Sequence, residues 1–213
     1  MLKELGDIGI HFFRHGESFY RQDIVPMAEA NDLTESGVDQ VRFSSEILST
    51  HIKSRGSCPS VIVSSPLGRA LQTAKLIAGV FDDRGMPMRK KLDSSLHGIL
   101  VIPQLQDQID SGRSEIGAQM EPLENAQRRM LKVLKRMLAA QNAGQFSELV
   151  LVSHDALTGF LVHKFTEGKR SKLELGEFMS IVKSGDNLSA RIGDIEEIYS
   201  FSTAFLSFFS AQP

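Results

Sequence analysis

A chain of 213 residues, 41% hydrophobic and 23% charged, has enough length for one sizeable core and too little for two, so a single domain carrying an insertion is expected. The net charge of −2 argues against a nucleic-acid partner, because no basic excess exists to displace counterions from phosphates. A lone cysteine, Cys58, excludes an internal disulfide and a cysteine-rich metal site. Met1 to Asp7 lacks the basic-then-apolar pattern of a secretory leader, and no run approaches the roughly 18 apolar residues of a membrane span, so a cytoplasmic protein without a membrane partner is expected.

Ile8 to Phe13 is a short apolar run stopped by a charged, glycine-containing turn, and it predicts a buried strand. After the irregular stretch Tyr20 to Asp32, Leu33-Thr34-Glu35-Ser36-Gly37 opens a helix to about His51. Thr34 is its expected N-cap, and Val38, Val41, Ile47 and Leu48 recur at helical spacing. Arg55 to Pro59 is a loop, Ser60 to Ser64 a second buried strand, and Pro66 stands where the next helix, Ala70 to Val80, can open. A third strand is expected over Met88 to Leu92.

From Asp93 onward Gly98, Pro103, Gly112 and Gly117 break periodicity. The whole chain, 1–213, then reads as one domain with a lid or insertion at about 93–121, holding a short helix near Leu105 to Ile109. Pro122 to Ala140 is an amphipathic helix with Met130, Leu131, Leu134, Met137 and Leu138 on one side; Arg128, Arg129, Lys132, Lys135 and Arg136 form a solvated face. Leu149 to Val152 is a fourth buried strand, followed by a helix over Leu157 to Phe165. Phe178 to Val182 and Leu188 to Ile192 form a hairpin turned by Ser184-Gly185-Asp186-Asn187. The tail, Phe201 to Ala211, is a strand or docked segment whose phenylalanines pack on the domain or offer a homodimer surface. Short apolar strands alternating with helices predict an α/β three-layer sandwich, a mainly parallel central sheet flanked by helices.

Three polar clusters each follow a buried strand: Arg14-His15-Gly16-Glu17, Ser64-Ser65-Pro66-Leu67-Gly68-Arg69 and Ser153-His154-Asp155. Carboxyl ends of parallel strands gather on one edge, where such folds place their sites. Two arginines and two histidines would converge there. Guanidinium forks hold a phosphoryl group bidentately, and a neutral imidazole between them can attack phosphorus. The same cations stabilise the charge on the transition-state oxygens. No metal is expected, because a cationic site repels a divalent ion. His11, His51 and His163 lie outside these clusters and read as structural or surface residues.

The chain resembles the histidine phosphatase superfamily, with its phosphoglycerate-mutase-like fold. The resemblance rests on Phe13-Arg14-His15-Gly16-Glu17-Ser18, Leu33-Thr34-Glu35-Ser36-Gly37 with Gln40, Ser64 to Ala74, and Val150-Leu151-Val152-Ser153-His154, in family order. It implies that His15 is the nucleophile that becomes phosphohistidine. It also implies that Arg14 and Arg69 hold the phosphoryl oxygens and that His154 is the second pocket histidine. Glu17 and Ser18 match variable neighbours, and Gly16 permits a tight turn and close backbone approach.

One departure stands out. Mutase-like relatives carry a leucine, a variable residue and a proton-donating glutamate after the third strand, whereas this chain reads Leu92-Asp93-Ser94-Ser95-Leu96-His97. The acid-phosphatase branch places an aspartate directly after its second histidine, and Asp155 stands there. Asp155 is therefore the expected general acid, with Asp93 and His97 as alternatives and an N-capping role as the structural competitor for Asp155. The expected activity is hydrolysis of a phosphomonoester, a phosphorylated small molecule or a phosphoprotein, without a cofactor. A catalytically weak or inactive pseudophosphatase that binds phosphate or a phosphopeptide is the alternative from another class, and a mutase the same-chemistry one.

Overall fold

The computed structural model describes residues 8–19, 32–56, 60–96, 123–142, 144–184, 187–193 and 198–202. In chain order they form β1 (Ile8–Arg14), α1 (Glu35–Ser54), β2 (Ser60–Ser64), α2 (Gly68–Asp83), β3 (Met88–Leu92) and a 3-10 turn (Ser94–Leu96). Then follow α3 (Leu123–Asn142), β4 (Glu148–Ser153), α4 (Asp155–Phe165), β5 (Phe178–Ser184), β6 (Asn187–Ile192) and β7 (Ile198–Ser202).

The strands make one sheet in the order β3-β2-β4-β1-β5-β6-β7. β3, β2, β4 and β1 pair in parallel; β5, β6 and β7 extend the sheet antiparallel beyond β1. The mainly parallel sheet is thus present, with the expected hairpin as β5 and β6. β2 and β4 are buried along their whole length, which is why they read as unbroken apolar runs.

Each central strand supplies two cores. On one face Ile10, Phe12, Val61, Val63, Leu149 and Leu151 pack with Ala126, Met130, Val133 and Met137 of α3 and Leu157 and Leu161 of α4. On the other, Phe13, Ile62, Val150 and Val152 pack with Val41, Leu48 and Ile52 of α1 and Ala74, Ile77 and Phe81 of α2. The result is the three-layer sandwich. Among the described residues no helix is long and apolar enough to cross a membrane.

Several boundaries differ from expectation for physical reasons. α2 opens at Gly68 rather than around Pro66; Leu67 occupies the N-cap position, and its backbone N–H donates to Ser65 Oγ at 3.3 Å. α4 opens at Asp155, two residues early, because His154 takes the N-cap position without a capping side-chain bond. Arg129 and Arg136 of α3 are not simply solvated: Arg129 donates to the Ser95 carbonyl at 2.8 Å and Arg136 pairs with Asp93. The 3-10 turn falls within the expected insertion; the remainder of that segment, including the helix near Leu105 to Ile109, lies outside the described residues. The tail beyond Ser202 also lies outside them.

Beneath the second half of α1, His11 and Glu148 are fully buried. His11 Nε2 and Glu148 Oε2 stand 2.8 Å apart, His11 Nδ1 is 2.8 Å from Ser180 Oγ, and Arg55 lies 3.4 Å from the other Glu148 oxygen. His11 is thus a satisfied core histidine, paired as buried polar groups must be.

Candidate active site

Register aligns the strand ends: Arg14 faces Ser153 across β1 and β4, and Ser64 faces Val152 and Leu92. The polypeptide therefore leaves three adjacent strands at one edge, and residues 14–15, 65–69 and 153–155 meet there.

His15 is buried, at 9% exposure. Its Nδ1 lies 2.8 Å from the Gly16 carbonyl oxygen, which can only accept, so Nδ1 carries the proton. Nε2 then presents its lone pair, which accepts from Arg69 Nε–H at 3.1 Å. Burial, aided by the Arg69 and Arg14 guanidiniums, pushes the His15 pKa from 6.5 down to about 4, against the raising pull of the Gly16 carbonyl. The imidazole is neutral and oriented.

The turn behind His15 depends on close backbone packing. A Cβ on Gly16 would lie 2.5 Å from the Gly37 carbonyl oxygen and 2.9 Å from Val41 Cγ2, so α1 rests directly on this turn. Gly16 N–H also donates to Thr73 Oγ1 of α2 at 3.3 Å. Both helices on that face thus pin the loop.

The His154 ring lies 5.1 Å from that of His15, centroid to centroid, tilted by 59°. Its Nε2 is 3.0 Å from Ser65 Oγ. Arg14 Nη1 donates to the Leu173 carbonyl at 2.6 Å and stands 3.4 Å from Asp155 Oδ1. Arg14, His15, Arg69, His154 and Asp155 are therefore brought together. As the first residue of α4, Asp155 is not the N-cap, and its carboxylate faces Arg14 instead.

Other candidates lie elsewhere or are committed. Glu17 turns to α1, accepting from Thr34 Oγ1 at 2.8 Å, while its backbone N–H donates to Gln40 Oε1 at 3.0 Å. Ser18 is half-buried in an isolated bridge with Leu33. Asp93 accepts from Ser95 N–H at 2.9 Å through one oxygen and from Arg136 through the other, capping the 3-10 turn. His97 lies outside the described residues. Sequence reasoning missed Ser65 as the partner of His154, although its motif was in hand. It also missed the Leu173 carbonyl, which has no side-chain signature. An open cleft of about 500 Å³ lined by Glu46, His51, Arg84 and Arg191 belongs to the second half of α1, not to these strand ends. Among the described residues no group of histidine, cysteine or carboxylate side chains is arranged to hold a metal.

The family model of the histidine phosphatase superfamily (branch 1) matches residues 10–97. No curated protein sequence matches the chain. A phosphoglycerate mutase from Bacillus anthracis is similar in structure, with a TM-score of 0.60 and 15% identity over 99% of this chain and 98% of that one. A mycobacterial glucosyl-3-phosphoglycerate phosphatase is similar with a TM-score of 0.58 and 18% identity, over 88% of this chain and 98% of that one. The protein histidine phosphatase SixA aligns with a TM-score of 0.53 and 16% identity, over 93% of this chain and 99% of that one. At these identities the neighbours speak to fold. Family match and sequence resemblance agree on the histidine phosphatase superfamily.

Proposed function

We propose that this histidine phosphatase superfamily chain hydrolyses a phosphomonoester, carried by a small molecule or a phosphoprotein, through a phosphohistidine on His15. The observation that carries the reading is the state of His15: neutral, with Nδ1–H held by Gly16 and the Nε2 lone pair beside Arg69. Nε2 attacks phosphorus and the ester P–O bond breaks. Arg69 shifts its Nε–H from Nε2 to a phosphoryl oxygen, and Arg14 and His154 share the remaining charge. Water, passing a proton to the Asp155 carboxylate, then attacks phosphorus, the P–N bond breaks, and inorganic phosphate leaves.

Asp155 is the proposed proton donor to the leaving oxygen. Its carboxylate faces Arg14 of the pocket, whereas both oxygens of Asp93 are occupied. The Arg14–Asp155 pair also supports a second reading, a phosphate-binding module with little turnover, because that carboxylate is already turned toward a pocket guanidinium.

Turnover of p-nitrophenyl phosphate and of an alkyl phosphate separates the readings. Wild type is expected to hydrolyse both, and His15→Ala neither. Asp155→Asn should lose about 10²–10⁴-fold on the alkyl ester, the range for a general acid, and far less on the activated one. Wild type no faster than His15→Ala on either ester would refute the enzyme reading; full alkyl-ester activity in Asp155→Asn would refute the donor.

A further inference from the structure

Residues 170–177, between α4 and β5, touch the two residues that open the site, and no motif points to them. Arg170 and Glu177 close this loop as a two-pronged ion pair, Nη1 to Oε1 at 3.2 Å and Nη2 to Oε2 at 2.9 Å. Glu177 Oε2 also accepts the Glu174 N–H at 2.7 Å. Arg170 is anchored in turn to the end of α4, its N–H donating to Thr166 Oγ1 at 3.0 Å.

Three backbone groups of the closed loop are directed at β1's exit. The Leu173 carbonyl takes the Arg14 Nη1–H at 2.6 Å, the Glu177 carbonyl takes the Arg14 N–H at 3.0 Å, and the Gly176 N–H donates to the His15 carbonyl at 3.1 Å. Gly176 holds a φ of +73°, a conformation that suits glycine, which turns its N–H toward His15. Leu173 is fully buried, so its carbonyl cannot wander.

We propose that Glu177, paired with Arg170, is a positioning residue for the Arg14 guanidinium; this rests on the reading of the strand ends as a phosphate pocket. A long arginine side chain has many rotamers, and a phosphate fork works only when its plane is set before the ligand arrives. Fixing one Nη on a backbone carbonyl sets that plane. The carboxylate of Glu177 does so at one remove, by holding residues 173–177 in the shape that presents the carbonyl.

The test titrates inorganic phosphate into the full chain while the imidazole signals of His15 and His154 are followed by NMR. Glu177→Gln, which keeps the shape and removes the charge, should weaken phosphate about tenfold. Arg170→Lys, which keeps the charge and loses the fork, should act in the same direction and serves if Glu177→Gln folds poorly. The deciding comparison is a cycle: on top of Arg14→Ala, Glu177→Gln should cost less than about twofold, because its effect passes through Arg14. An equal loss in both backgrounds, or no loss in either, would overturn the proposal and leave the pocket reading standing. Phosphate affinity unchanged in Arg14→Ala would overturn the pocket reading and this proposal with it.

Discussion

His15 is a base made weak on purpose by where it sits. Burial removes water from its charged form, and two guanidiniums repel a proton further. As the proposed nucleophile His15 must keep its lone pair, and a low pKa suits attack on phosphorus across the neutral range. The His15 signal is expected to titrate near pH 4 by NMR, and Arg69→Gln should raise that midpoint while leaving it below 6.5, since burial is the larger cause. A midpoint at or above 6.5 in the wild type would contradict the account. The linked stability has a definite sign. Above pH 6.5 the imidazole is neutral in both folded and unfolded chains and costs nothing. As pH falls from 6.5 toward 4 the unfolded chain takes up the proton first, so stability drops, by about 2 kcal/mol at pH 5. Urea unfolding at pH 7 and pH 5 should show a loss larger in wild type than in His15→Asn, which keeps the part due to His51, whose pKa burial also lowers.

Between elements, the contact that shapes the site is α1 against the Gly16–Glu17 turn. A Cβ on Gly37 would fall inside van der Waals contact of the Glu17 carbonyl oxygen and backbone nitrogen, all main chain that cannot rotate away. Gly37→Ala should therefore destabilise by about 1–3 kcal/mol, as overpacking does, and lower kcat/KM by shifting His15. Gly79 of α2 is the control: a Cβ there meets nothing within 4 Å, so Gly79→Ala should stabilise by about 0.4–1 kcal/mol with activity unchanged. Thermal unfolding and steady-state kinetics of the two variants check this, and equal behaviour would show that the α1 contact does not matter. The same scale explains what the sequence hid. Thr34 as N-cap was legible from its position before the helical pattern, and its side chain does accept from Gly37 N–H at 2.9 Å. The pairing of Asp93 with Arg136, 43 residues on, was not, because only the packing of α3 beside the 3-10 turn creates it.

For the whole molecule, the site is a consequence of sheet order. Strands β1, β4 and β2 are distant in sequence and adjacent in space, and their parallel register puts Arg14, Ser153 and Ser64 level. That much was readable, since buried parallel strands are apolar runs and the polar residues after them stand out. The backbone acceptors of residues 173–177 were unreadable, because a carbonyl has the same signature in every residue. The extent of the antiparallel half was only partly readable: β7 sits at Ile198–Ser202, just before most of the apolar tail. All of this geometry serves one claim, that His15 takes a phosphoryl group. Rapid acid-free denaturation during turnover of p-nitrophenyl phosphate, followed by mass spectrometry of the peptides, tests it directly. One phosphoryl group is expected on His15, stable in alkali and lost in acid, and none on any residue of His15→Ala. Turnover in wild type with His15 unmodified and the phosphoryl group on another residue would contradict it.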